Sequence, residues 1–184
     1  MQLRANLLLG YIVLAVLAAC GSVRGQTAMT DEAKKAAVYG MYAEYRREFP
    51  TVQDVAPLAA MRLFEEGAAV FVDTRLPAEM AVSMLPGAVS QAAFLENPER
   101  YRGRTVIAYC TISYRSGLLA ARLAERGITV TNLQGGLLAW VLEGGRVYDA
   151  AGETRRIHVY GQKWNYPPAG YEAVLFGFWD RLRL

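Results

Sequence analysis

Val106-Ile107-Ala108-Tyr109-Cys110-Thr111-Ile112-Ser113-Tyr114-Arg115-Ser116-Gly117 passes from an apolar run through a cysteine into a polar loop. Its first half is an apolar run of the kind found in a strand buried on both faces. The run stops at a cysteine. A short loop of small and polar residues follows, and 115–127 then has the spacing of an amphipathic helix that ends at Gly127. Strand, cysteine, loop and helix in that order set a thiol against loop amides and a helix N-terminus. Their partial positive charge favours a thiolate, and Arg115 adds a full charge nearby.

The same alternation continues on both sides. Residues 57–66 read as a helix stopped by Gly67, 68–73 as a buried strand, 78–83 as a helical piece, and 85–89 as a turn into a short strand. After the central helix, 128–133 reads as a strand, and a helix opened by Gly135-Gly136 runs to Glu143. Strands recur about every 25–30 residues, the rhythm of a single α/β domain. The expected fold is a central, mostly parallel sheet of about five strands with helices on both faces. Ligands of such sheets bind beyond the carboxyl ends of the strands. Asp73, Cys110 and Asn132 to Gly136 all fall at strand carboxyl ends, so they should share one rim. Residues 30–50 precede this domain as a helix, with Thr30 as cap and Pro50 as stop.

Of 184 residues, 20 are basic and 17 acidic, and the basic ones form no block, so nucleic-acid binding has no support. The two cysteines, Cys20 and Cys110, and the single histidine, His158, have no metal-ligand spacing. No metal or cofactor is expected.

Residues 1–19 have the pattern of a signal peptide, with Arg4 ahead of the apolar run 7–19, which is short for a membrane span. Leu17-Ala18-Ala19-Cys20-Gly21 resembles a bacterial lipoprotein box, which implies cleavage before Cys20, lipidation of that cysteine and a membrane anchor through residues 20–29. The plainer alternative is a signal peptide in which Cys20 is incidental. With lipidated Cys20, the protein would face the periplasm, with Gly21 favouring the outer membrane. Cys110 would then lack an intramolecular partner in an oxidising compartment.

The chain resembles the rhodanese homology domain over about 52–146. Cys110 to Arg115, followed by Ser116-Gly117, has the length and ending of that family's cysteine loop. Asp73-Thr74-Arg75 with Glu79, Leu85-Pro86-Gly87-Ala88, and Asn132-Leu133-Gln134-Gly135-Gly136-Leu137-Leu138-Ala139-Trp140 resemble its other motifs, in the same order. Ser83 and Met84 replace the family's common Gly-His. Ser113 stands where the loop often has glycine; if that position needs positive φ, serine there is strained by about 1 kcal/mol or more.

The resemblance implies a sulfurtransferase. Cys110 would take a sulfane sulfur from a small anionic donor, hold it as a persulfide and pass it to a thiol or cyanide. The amides of Thr111, Ile112, Ser113, Tyr114, Arg115 and Ser116 would cradle the anionic sulfur, and Arg115 would stabilise the thiolate. Arg75 would either pair with a carboxylate such as Glu79 or shape donor access. Asp73, Gly135 and Gly136 are expected to be structural, the two glycines by allowing close backbone approach. Tyr109, Tyr114, Trp140 and His158 are expected to be packing or structural residues. Two alternatives stay open. Cysteine phosphatases place five residues between cysteine and arginine, one more than the four here, and need a ring wide enough for phosphate. A catalytically silent binding or redox-sensing module would share the fold. Beyond the domain, 146–149 and 155–160 could form a hairpin, and the aromatic extension 148–184 is expected to pack on the domain and wall the Cys110 pocket.

Overall fold

The computed structural model describes residues 29–177. The signal segment, Cys20 and nearly all of the expected tether lie outside the described residues. Helix α1 spans Asp31–Arg46, capped by Thr30, whose hydroxyl accepts from the Ala33 amide at 3.2 Å. It stops before the expected 49 because Arg46 folds back on the chain. Its Nη1 and Nη2 donate to the carbonyls of Phe49 at 2.5 Å and Val52 at 2.6 Å, and its Nε donates to Asp54. The turn drops Phe49 into the core against Gly117, where a Cβ would stand 2.4 Å from the ring.

There follow β1 (Asp54–Val55), α2 (Pro57–Glu65), β2 (Ala69–Asp73), α3 (Pro77–Val82), β3 (Val89–Ser90), α4 (Gln91–Glu96), β4 (Thr105–Tyr109), α5 (Tyr114–Ala124), β5 (Thr131–Leu133) and α6 (Gly136–Leu142). The five strands form one parallel sheet in the order β1-β5-β4-β2-β3. Its centre is the β2–β4 pair, in register from Ala69–Thr105 to Asp73–Tyr109. Successive strand residues point to opposite faces. Phe71 therefore joins Leu133, Leu137 and Trp140 in one core, while Val70 and Val72 join Leu119, Leu123 and Phe94 in the other. This is why β2 is buried along its whole length.

Two elements correct the sequence reading. Residues 52–55, to which the sequence assigns no element, include an edge strand: Asp54 and Val55 pair with Asn132 and Leu133. Helix α4, not expected, is started by the Ser90 hydroxyl, which accepts from the Ala93 amide at 3.1 Å.

The expected hairpin is also corrected. Strand β6 (Val147–Asp149) pairs with β7 (Gly152–Thr154), not with 155–160. The Asp149 carboxylate accepts from the Ala151 amide at 2.8 Å and Gly152 has a φ of 129°, so the chain reverses early. Strand β8 (Arg156–His158) is freed to pair in parallel with β9 (Glu172–Val174). Ile157 and Val159 enter the Trp140 core fully buried.

Candidate active site

Cys110 follows the last residue of β4 and is 2% exposed. The loop after it is held from behind by α6. The Leu137 amide donates to the Cys110 carbonyl at 2.9 Å, and the Leu138 amide to the Thr111 carbonyl at 3.1 Å. Both carbonyls are thereby satisfied on the side of the loop that faces α6. Only glycine permits this approach at 136, where φ is 61° and a Cβ would lie 2.4 Å from the Cys110 carbonyl oxygen. At Gly135 a Cβ would lie 2.6 Å from that of Ala139. Gly136 thus sits behind the loop, whereas Gly135 lies against Val38 and Tyr39 of α1.

Ser113 has φ 62° and ψ 26°, and it is the sole non-glycine with positive φ among the described residues. Its buried hydroxyl has no hydrogen-bond partner there. Ser113→Gly should therefore stabilise the fold by about 1 kcal/mol, seen as a melting-temperature rise of roughly 2–4 °C. An unchanged or lower value would mean that the loop carries no such strain.

Asn132, the middle residue of β5, pins the far side of the loop. Its Nδ2 donates to the Ser113 carbonyl at 3.1 Å and to the Tyr42 hydroxyl at 3.0 Å, and its Oδ1 accepts from the Ser116 hydroxyl at 2.7 Å. Tyr42 donates in turn to Asp54 at 2.6 Å. Helix α1 is thereby wired to the cysteine loop. The sequence reading gave Asn132 no such role; a polar residue near a buried strand's carboxyl end was the available signal.

Arg115 is shared. Its Nη1 and Nη2 each donate to one oxygen of Glu79 at 2.8 Å, and its guanidinium lies 5.5 Å from the Tyr160 ring centre. Burial opposes its charge, but the Glu79 hydrogen bonds and the attraction of Cys110 more than compensate and raise its pKa. Glu79, on α3, is 1% exposed. It accepts from the Leu76 amide at 2.8 Å, and His158 Nδ1 of β8 lies 3.1 Å from its Oε1. Burial pushes its carboxyl up, and the contacts with His158, Arg115 and the Leu76 amide outweigh this and hold it well below the usual carboxylate range.

Arg75 does pair with a carboxylate, as expected of a structural arginine, but the partner is Asp73 rather than Glu79, and the arginine does not reach the donor's path. Its side chain is wholly buried and grips Asp73, with Nε at 2.9 Å from Oδ1 and Nη2 at 2.7 Å from Oδ2, while Nη2 also donates to the Ser83 carbonyl at 2.5 Å. Asp73 lies two residues earlier at the strand end and offers both oxygens, so Glu79 is left to Arg115. Arg75 does not line the pocket beside Cys110. Tyr109 does more than pack, since its hydroxyl donates to Asp73 at 2.5 Å and accepts from the Leu85 amide at 3.1 Å.

Cys110, Thr111, Ile112, Tyr114 and Arg115 line a pocket of about 450 Å³. Ser113 and Ser116 are buried and do not line it. The Thr111 hydroxyl is buried with no hydrogen-bond partner among the described residues. The pocket's outer wall is Tyr45, Glu48, Tyr160 and Trp164. The Trp164 indole donates to the Tyr45 hydroxyl at 3.2 Å, and Tyr114 donates to Glu48 at 2.8 Å.

A family model described as the rhodanese-like domain matches residues 56–143. A sulfurtransferase of Allochromatium vinosum is 35% identical over 89 residues, which cover 46% of this chain and 83% of that protein. The chain belongs to the rhodanese-like family. An uncharacterized Synechocystis protein is 33% identical over 90 residues, 47% of this chain; the chain spans about half the length of that relative, 50%. A thiosulfate sulfurtransferase of Pseudomonas aeruginosa shares the fold, with a TM-score of 0.51 and 22% identity over 71% of this chain and 26% of that one. The rhodanese-like match contains the cysteine loop, Glu79, Asn132 and α6. It excludes Tyr45, Glu48, His158, Tyr160 and Trp164.

Proposed function

We propose that this protein is a sulfurtransferase in which Cys110 carries a sulfane sulfur between a donor and a thiol acceptor. The observation that supports it is the loop held by α6, with the Cys110 and Thr111 carbonyls bound from behind by Leu137 and Leu138. Such a loop would direct amides, not carbonyl oxygens, at an anionic sulfur. The Cys110 thiolate would attack the donor's outer sulfur. The bond from that sulfur to the donor breaks, and the donor remnant leaves with the electron pair. The terminal persulfide sulfur would rest against the amides of Thr111 to Ser116, with Arg115 balancing its charge. An acceptor thiolate then attacks that sulfur and Cys110 leaves as thiolate.

Protein incubated with thiosulfate, mercaptopyruvate or glutathione persulfide should gain the mass of one sulfur atom on the peptide containing Cys110, and Cys110→Ser should gain none. If no donor adds that mass, the transfer reading fails and a binding or redox-sensing role replaces it.

We propose further that the protein is exported and lipid-anchored through Cys20 in a bacterial envelope. Globomycin, which blocks lipoprotein signal cleavage, should then cause the uncleaved precursor to accumulate. Processing that ignores globomycin and Cys20→Ala alike would rule the anchor out.

A further inference from the structure

The Cys110 pocket has room for more than an inorganic sulfur anion. Its volume of about 450 Å³ is in the range of pockets that enclose small organic molecules. Its one lining cation, Arg115, already holds Glu79 through two hydrogen bonds, and Glu48 adds a carboxylate to the wall. The positive charge left for a small dianion such as thiosulfate is that of the loop amides and of Lys163, whose Nζ lies outside the wall, 5.4 Å from the Tyr45 ring centre and 5.5 Å from that of Trp164. The wall itself is aromatic. Tyr45 packs on Tyr114 with ring centres 5.2 Å apart, and Tyr160 meets Trp164 edge-on at 5.6 Å. Tyr45 and Trp164, from opposite ends of the chain, are joined by a hydrogen bond.

These walls come from outside the rhodanese-like match, on the segments before residue 56 and after residue 143, whereas the cysteine loop lies inside it. The chemistry and the substrate's body are thus contacted by different parts of the chain. We infer that the aromatic wall selects the sulfur substrate, and that the substrate is an organic thiol and its persulfide with an apolar, ring-sized body. Tyr160 and Trp164 are the specificity-determining residues. This rests on the sulfurtransferase reading. In the step it serves, Cys110–S⁻ and R–S–S⁻ become Cys110–S–S⁻ and R–S⁻. One sulfur–sulfur bond breaks and one forms, with no external oxidant. Transfer to an acceptor thiol is the same step in reverse, so one R group pocket serves both directions.

The test uses two stable donors with the same reacting group and charge, 4-methylbenzenethiosulfonate and methanethiosulfonate. Each gives its outer sulfur to Cys110 and leaves as the sulfinate. The aromatic donor should load Cys110 with a kcat/KM roughly tenfold or more above the methane donor, the discrimination an apolar pocket supplies for a body of that size. Trp164→Ala and Tyr160→Ala should each cut that ratio severalfold, and Trp164→Phe should restore most of it. Equal loading by the two donors, or a ratio untouched by either truncation, would overturn the inference while leaving sulfur transfer standing. If neither donor loads Cys110, 4-methylbenzenethiol binding to Cys110→Ser, followed by Trp164 fluorescence with Trp164→Phe as blank, decides the pocket by itself. No saturable binding overturns it. Tyr160 is half exposed, so Tyr160→Ala keeps the test available should Trp164→Ala fail to fold.

Discussion

Asp73→Ala is expected to destabilise the fold by about 3–5 kcal/mol, because it strands a buried guanidinium. Both side chains of the Asp73–Arg75 pair are wholly buried. Asp73 also receives the Tyr109 hydroxyl and the Arg75 amide. Removing it leaves Arg75 with the Ser83 carbonyl and a cation–π contact to Tyr109 at 5.6 Å. For a chain of this size the loss should appear as a fall in melting temperature of roughly 6–20 °C. Adding Arg75→Met should recover much of it, since an apolar replacement removes the uncompensated charge rather than its partner. A single variant that melts within about 2 °C of the parent would show that the pair does not hold the β2 rim together.

Glu79→Gln should act on stability and on chemistry together. The buried carboxylate joins α3, the cysteine-loop arginine and β8 in one cluster. Loss of its charge should cost about 2–3 kcal/mol at neutral pH, the range for charge-assisted hydrogen bonds. Arg115 would no longer be held over the loop, and Cys110 loading should slow by roughly 10–100-fold, as expected when a charge that positions the reactants shifts. The pH dependence has a defined sign. Glu79 titrates in the fold below its ordinary value of 4.5, so its stabilisation is complete above that value and is lost as the pH falls toward the lower folded one. The stability gap between parent and variant, from urea unfolding, should be flat from about pH 7 to pH 5 and close below about pH 4.5. A gap that persists undiminished at about pH 3 would mean that Glu79 is not held ionised by these contacts.

Much of the fold was legible because apolar runs and glycine stops are local signals. The runs at 68–73 and 106–109 are buried on both faces, so they read as central strands whatever surrounds them. Asp54–Val55 could not be read that way, because a two-residue edge strand exists only through its ladder to β5. The hairpin was misplaced for a similar reason: whether β8 pairs with β6 or with β9 depends on distant backbone. In the site, the position of Cys110 and the need for close approach at Gly136 followed from sequence, as did the strain expected at Ser113 if its φ were positive. The partner swap, Asp73 with Arg75 and Glu79 with Arg115, did not. Two arginines and two carboxylates within reach of one rim admit either pairing, and only side-chain direction separates them.

A parallel α/β domain with a cysteine at the carboxyl end of its central strand is already specified by the order of residues. Burial periodicity and turn chemistry act over a few residues and are written there in full. That the aromatic extension walls the cysteine was expected too, but which of its residues do so, and that α1 joins them, emerged from the three-dimensional packing. The pair Tyr45 and Glu48 lies far along the chain from the pair Tyr160 and Trp164, and the two share no local signal. They become one wall because α1 is tied to the loop through Tyr42 and Asn132, and because β8 is buried in the Trp140 core beside it.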